Sequence, residues 1–100
     1  MRYCIDIDGT ICTQTPDSLT IPYNEAIPFI DIIDKVNKLY DDGNYIIIYT
    51  ARGSCTGVNW REFTKKQLDS WGVKYHKLLF NKPNADVFVD DKAVNIKDWR

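Results

Sequence analysis

Long apolar runs, paired cysteines and a surplus of charge of either sign are all missing from this sequence, and each absence removes a class of protein. No run approaches the roughly 20 apolar residues that a membrane-crossing helix requires, and the opening MRYCIDID carries acids where a signal peptide needs its apolar stretch. A cytoplasmic protein with no membrane partner is expected. Cys4, Cys12 and Cys55 form no CxxC pair, so neither a disulfide framework nor a zinc knuckle is indicated. Thirteen basic and fourteen acidic residues leave a net charge of −1, which offers a polyanion little long-range attraction. Nucleic acid is therefore not the expected partner. The one histidine, His76, has nothing near it that resembles a triad and reads as structural or exposed.

What is present suits an ordinary globular chain. Hydrophobic residues make up 44% and charged residues 27% of 100 positions, without a repeat, a low-complexity tract or a linker. One domain of this size buries roughly 60–65% of its unfolded surface, enough for a modest core. Arg2 to Asp6 reads as a short strand. Phe29, Ile32, Ile33, Val36, Leu39 and Tyr40 recur at helical spacing until Asp42-Gly43-Asn44 ends the helix. The run YIIIYT, from Tyr45 to Thr50, has no polar alternation, as expected of a central parallel strand covered on both faces. Asn59 can cap a second helix that faces inward with Trp60, Phe63, Thr64, Gln67, Leu68 and Trp71 and ends at Gly72. Lys77 to Phe80 and Val87 to Val89 are expected as third and fourth strands. Strands alternating with helices predict an α/β fold, a three-layer Rossmann-like parallel sheet with helices on both faces.

In such sheets ligands gather beyond the carboxyl ends of the strands, and Asp6, Thr50 and Asp90 each stand at one. Four carboxylates, Asp6, Asp8, Asp90 and Asp91, meeting there would repel by about 4 kcal/mol per pair at 4 Å and an effective dielectric near 20. A cation is required. With oxygen donors and no His or Cys cluster, the hard cation Mg²⁺ is the best match, with substrate phosphate oxygens completing its shell.

At this point the chain resembles a known family. Asp6-Ile7-Asp8-Gly9-Thr10 after one strand, Thr50 after a second, Lys82 in NKP and Asp90-Asp91 after a third match, in order, the four motifs of the haloacid dehalogenase superfamily of aspartate-nucleophile phosphohydrolases. The resemblance implies that Asp6 attacks phosphorus and forms an aspartyl-phosphate, while Asp8 protonates the leaving oxygen and later deprotonates the attacking water. It implies that Thr50 bonds a phosphoryl oxygen, that Lys82 offsets charge, and that Asp6, the Asp8 carbonyl and Asp90 hold Mg²⁺, with Asp91 acting through water. Gly9 would permit the sharp turn that aims backbone N–H groups, with Thr10, at the phosphate. Arg52, in TARG, and Lys92, beside the acids, are candidates for gripping polar substrate groups.

Members of this family often carry a cap domain after the first motif or between the second and third. Here 39 residues separate Thr10 from Thr50 and 31 separate Thr50 from Lys82, too few to hold one. A minimal, capless core with an open site is expected, and the Thr- and Pro-rich loop from Thr13 to Pro22 is its nearest local lid. The sequence ends nine residues after Asp91, so the last strand would lie at an edge, and a homo-oligomer is expected to cover it. The pattern KPxADxxxDDKA, Lys82 to Ala93, resembles small capless relatives that act on sugar phosphates and surface polysaccharides. A polynucleotide 3′-phosphatase and a non-catalytic partner protein are the alternatives.

Overall fold

The computed structural model describes residues 1–14, 23–54 and 57–100. Residues 15–22 of the expected lid, and Cys55, lie outside the described residues. Three parallel strands, β1 (Arg2–Ile5), β2 (Tyr45–Tyr49) and β3 (Lys77–Leu79), form a sheet in the order β1-β2-β3. The register pairs Ile48 with Ile5 on one side and with Leu78 on the other. Helix α1 (Ile30–Asp41) connects β1 to β2, α2 (Arg61–Ser70) connects β2 to β3, and a short α3 (Ile96–Trp99) follows. One 3-10 turn, Tyr23–Glu25, precedes α1. The result is the α/β architecture that the alternation predicts, a small Rossmann-like domain with β2 at its centre.

Burial explains the pattern. Ile46 and Ile48 of β2 are fully buried while Ile47 and Tyr49 are half-buried, so both faces of the strand are covered, unequally. Helix α1 adds Ile32, Ile33 and Val36, α2 adds Leu68, and the segment after β1 adds Ile7, Ile11 and Cys12 to the same core. α2 also buries Thr64, with Trp60, Phe63, Gln67 and Trp71 half-buried along the predicted inner face. Its first turn is tied by Asn59, whose Oδ1 accepts from the Arg61 N–H at 3.0 Å. Its end closes when Gly72 N–H donates to the Asp69 carbonyl and Val73 N–H to the Leu68 carbonyl, a Schellman arrangement with Gly72 at φ 72°. His76 is structural: its Nδ1 accepts from the Ile46 N–H at 3.0 Å, and its ring lies between Tyr40 and Tyr45 at 4.5 and 4.6 Å.

The expected fourth strand is not formed. Val87, Phe88 and Val89 carry no regular structure and are 73%, 51% and 95% exposed. Three residues supply few ladder bonds against the entropy of ordering them, and Phe88 instead offers its ring to the Lys82 ammonium, 4.8 Å away. Strand propensity alone does not place a segment on a sheet. Among the described residues no helix is long and apolar enough to cross a membrane.

Gly72→Ala isolates the cost of the left-handed backbone, because a Cβ there meets nothing within 4 Å. A loss of about 1 kcal/mol is expected, read as a melting temperature lower by about 4–8 °C in a circular-dichroism melt.

Candidate active site

β1 ends at Ile5, and the chain then alternates: Ile7 is fully buried, while Asp6 and Asp8 on either side of it keep partial exposure. Two acids two residues apart in an apolar run therefore share the open side of a segment whose other side is core. Gly9, at φ 84°, turns the chain back: its N–H donates to the Cys12 carbonyl at 2.9 Å, and the N–H groups of Thr10 and Ile11 both donate to the Ile7 carbonyl. The Gly9 and Thr10 amides expected to face a phosphate are thus used within the turn. The Thr10 hydroxyl stands 3.5 Å from Asp6 Oδ2 as a donor.

Each acid faces a cation from elsewhere in the chain. Lys82 Nζ lies 3.5 Å from Asp6 Oδ1. Arg52 meets Asp8 with two bonds, Nε to Oδ2 at 3.0 Å and Nη2 to Oδ1 at 2.9 Å, and its Nη1 donates to Thr64 Oγ1 at 3.2 Å. The Tyr23 ring covers the guanidinium at 4.2 Å, and Arg52 is only 3% exposed. Arg52 was expected to grip substrate; with Nε, Nη1 and Nη2 all donating inside the protein, it is an internal counter-ion instead. The buried Cys12 thiol shares its one S–H between Asp8 Oδ1 and the Ile7 carbonyl, both at 3.6 Å. Burial, with the nearby Asp8 charge, pushes that thiol up to about 12, so it is a donor and not a nucleophile at neutral pH. Burial also raises the Asp6 carboxyl above the usual range, with the Lys82 charge and the Ile7 N–H pulling the other way.

These groups open on a cavity of about 200 Å³ whose wall includes Asp6, Asp8, Arg52, Lys82, Trp60 and Phe88. Thr50 is not part of that wall. It is 1% exposed, and its Oγ1 accepts from the Arg52 N–H at 3.1 Å. Its backbone joins the strand ends, taking the Leu79 carbonyl with its N–H and giving its carbonyl to the Lys82 N–H. Thr50 thereby sets the places of both cations. Asp90, Asp91 and Lys92 are exposed and do not line the cavity. Asp90 Oδ1 accepts from the Lys92 N–H at 2.7 Å, which holds its carboxyl below the usual range.

Of the expected magnesium ligands, Asp6 and Asp8 line the cavity, and Asp90 and Asp91 do not. Among the described residues no three His, Cys, Asp or Glu side chains stand close enough together to hold a metal ion. The donor chemistry of Asp6 and Asp8 suits a hard cation, but the acids meant to complete the shell ride on a segment that is not on the sheet, and Arg52 and Lys82 already meet the charge.

Nothing in the sequence marks Tyr23 or Cys12 as part of this site, and Thr64 stands there only as an inner-face position of the second helix. Only the inner-face position of Thr64 and the presence of an Arg after the second strand pointed their way. Trp60, expected on the inner face of the second helix, also lines the cavity.

No family model matches the chain, and no curated protein matches it. Its fold is similar to that of a structural-genomics target from Vibrio cholerae, at a TM-score of 0.82 and 25% identity over 98% of this chain and 85% of that one. It is also similar to a chain in the structure of a Pnkp1/Rnl/Hen1 complex, at a TM-score of 0.61 and 22% identity over 90% of this chain, which spans 31% of that one. The second likeness is one of fold.

The raised Asp6 carboxyl makes a stability prediction whose sign is fixed. Between the unfolded carboxylate value, about 3.9, and the higher folded one, the folded state holds a proton that the unfolded state has lost. Stability therefore falls as pH rises through that window and stays lower above it. Asp6→Asn is expected to raise the melting temperature at pH 7 by a few degrees and to shrink the gain on acidification, compared by melts from pH 3.5 to 7.

Proposed function

We propose that this chain is a phosphohydrolase of the haloacid dehalogenase type, acting through an aspartyl-phosphate on a small phosphorylated metabolite such as a sugar phosphate. One observation carries the reading: Asp6 and Asp8 share one small cavity at the end of β1, with the Lys82 ammonium 3.5 Å from the Asp6 carboxylate. Phosphoryl transfer is achieved mainly by positioning and charge compensation, which such an arrangement supplies.

On this reading a carboxylate oxygen of Asp6 attacks phosphorus in line, and an Asp6–phosphorus bond forms as the bond to the leaving oxygen breaks. Protonated Asp8 gives its proton to that oxygen, and the alcohol departs. A water then attacks the phosphorus, Asp8 takes its proton, and Asp6 is released with inorganic phosphate. Lys82 holds a positive charge beside the nucleophile throughout. Burial of Asp6 favours its protonated, inactive form, so the rate is expected to fall on the acid side at a pH above the ordinary carboxylate range.

A requirement for Mg²⁺, which the resemblance implies, belongs to the proposal only if the segment carrying Asp90 comes to Asp6, and no step above runs through the ion. Millimolar MgCl₂ is then expected to raise the melting temperature of the wild type and not that of Asp90→Asn. A wild-type melt that ignores Mg²⁺ would remove the ion from the reading.

A second reading, a polynucleotide 3′-phosphatase, draws on the aromatic side chains Tyr23, Trp60 and Phe88 at the cavity, on which bases could stack. The fold shared with a chain of the Pnkp1/Rnl/Hen1 complex accords with it, and the net charge of −1 weighs against it. Phosphate release from a panel of sugar phosphates and a 3′-phosphorylated oligonucleotide ranks the two. For either, Asp6→Asn is expected to lower aryl-phosphate hydrolysis at least about 10³-fold and to abolish a hydroxylamine-labile phosphoryl adduct. Equal background rates in wild type and Asp6→Asn would instead favour a non-catalytic partner protein.

A further inference from the structure

We infer that Arg52 is a positioning residue for the reaction proposed above: it fixes the Asp8 carboxylate so that Oδ2, and not Oδ1, carries the proton to the leaving group. The two oxygens are not equivalent. Oδ1 accepts from Arg52 Nη2 at 2.9 Å and faces the Cys12 thiol at 3.6 Å, whose one S–H it shares with the Ile7 carbonyl at the same distance, whereas Oδ2 accepts only from Arg52 Nε at 3.0 Å among the hydrogen bonds of the described residues. A carboxylate oxygen has two lone-pair sites; Oδ1 has both faced by donors, one of them only by a share of the thiol proton, and Oδ2 keeps one for a proton.

The clamp is itself held on three sides. Its Nη1 donates to Thr64 Oγ1 at 3.2 Å, its backbone N–H donates to Thr50 Oγ1 at 3.1 Å, and the Tyr23 ring lies 4.2 Å from its guanidinium carbon. Its side chain has no exposed surface. A planar fork that meets both oxygens of one carboxylate orients it in a way that a single ammonium cannot. In the first half-reaction the proton leaves Oδ2 as the phosphorus–oxygen bond breaks, giving a neutral alcohol and a carboxylate met by two guanidinium N–H groups. In the second the same oxygen takes a proton from the attacking water.

The test exploits leaving-group chemistry. Proton donation matters for an alkyl phosphate, whose alkoxide is a poor leaving group, and hardly at all for 2,4-dinitrophenyl phosphate. In kcat/KM, which reports the phosphoryl-transfer half, Arg52→Lys is expected to lose about 10²-fold on the alkyl substrate and less than about threefold on the dinitrophenyl ester. Inhibition by inorganic phosphate should stay within about twofold, since the Arg52 side chain has no exposed surface with which to meet the substrate. A loss that is equal on both substrates, or no loss on either, overturns the inference and leaves the hydrolase reading standing. If Arg52→Lys melts below the assay temperature, Thr64→Val, which removes the acceptor of Nη1, is expected to show the same selectivity at about tenfold; a uniform loss there overturns the inference equally. A wild type that releases phosphate from neither ester and forms no phosphoryl adduct brings down the hydrolase reading itself, and this inference with it.

Discussion

A guanidinium with no surface left to water must be neutralised where it stands, and the ion pair between Arg52 and Asp8 is the contact on which the architecture of this site depends. Taking the guanidinium, and most of the Asp8 carboxylate, out of water costs several kcal/mol per ion, and only good geometry and further hydrogen bonds offset it. The pair has both: two short bonds between planar groups, a threonine hydroxyl on the third nitrogen and a tyrosine ring over the face. Removing either partner would strand the other, a loss of about 3–5 kcal/mol out of a typical 5–15. The segment after β1, the end of β2, the first turns of α2 and the 3-10 turn before α1 are thereby tied to one another through a polar contact as well as through the core.

The surroundings of Asp6 follow a different logic. Its pairing with Lys82 is longer and wetter, at 3.5 Å with both side chains partly exposed, and a contact of that kind contributes little to stability. Burial works against the charge of Asp6, while the buried isoleucines on either side hold it in place. One acid is thus locked by a bidentate partner and the other kept accessible beside a flexible cation. A division of that sort suits a site in which one carboxylate must meet a ligand and its neighbour must keep a fixed orientation.

Thr50 joins the two halves. Because β2 is central, its carboxyl end lies within reach of both neighbours, and the backbone of Thr50 bonds to Leu79 and Lys82 while its hydroxyl takes the Arg52 N–H. The residue at the end of the middle strand therefore decides where the two cations stand. Asp90 and Asp91 have no such anchor, since the residues before them gain too little by joining the sheet to be held at its edge.

Much of this was legible from residue order. The spacing of Ile32, Ile33 and Val36, the glycines at helix ends and the unbroken YIIIY run are local signals, and local geometry fixes α1, α2 and the central strand from them. DIDGT announced two acids at a strand end because the period of an extended chain puts Asp6 and Asp8 on one side and Ile7 on the other. The partners of those acids were not legible. Arg52 stands 44 residues from Asp8, and nothing in the run TARG distinguishes a guanidinium that reaches for substrate from one that turns inward. Which it does depends on whether a hydroxyl from α2 and an aromatic ring from the turn before α1 arrive at the same place. Sequence determined which residue types stand at the strand ends; the packing of elements distant along the chain decided which charges meet there and which remain in solvent, because pairing energies depend on separation and burial, and neither is a property of a residue's neighbours in the chain.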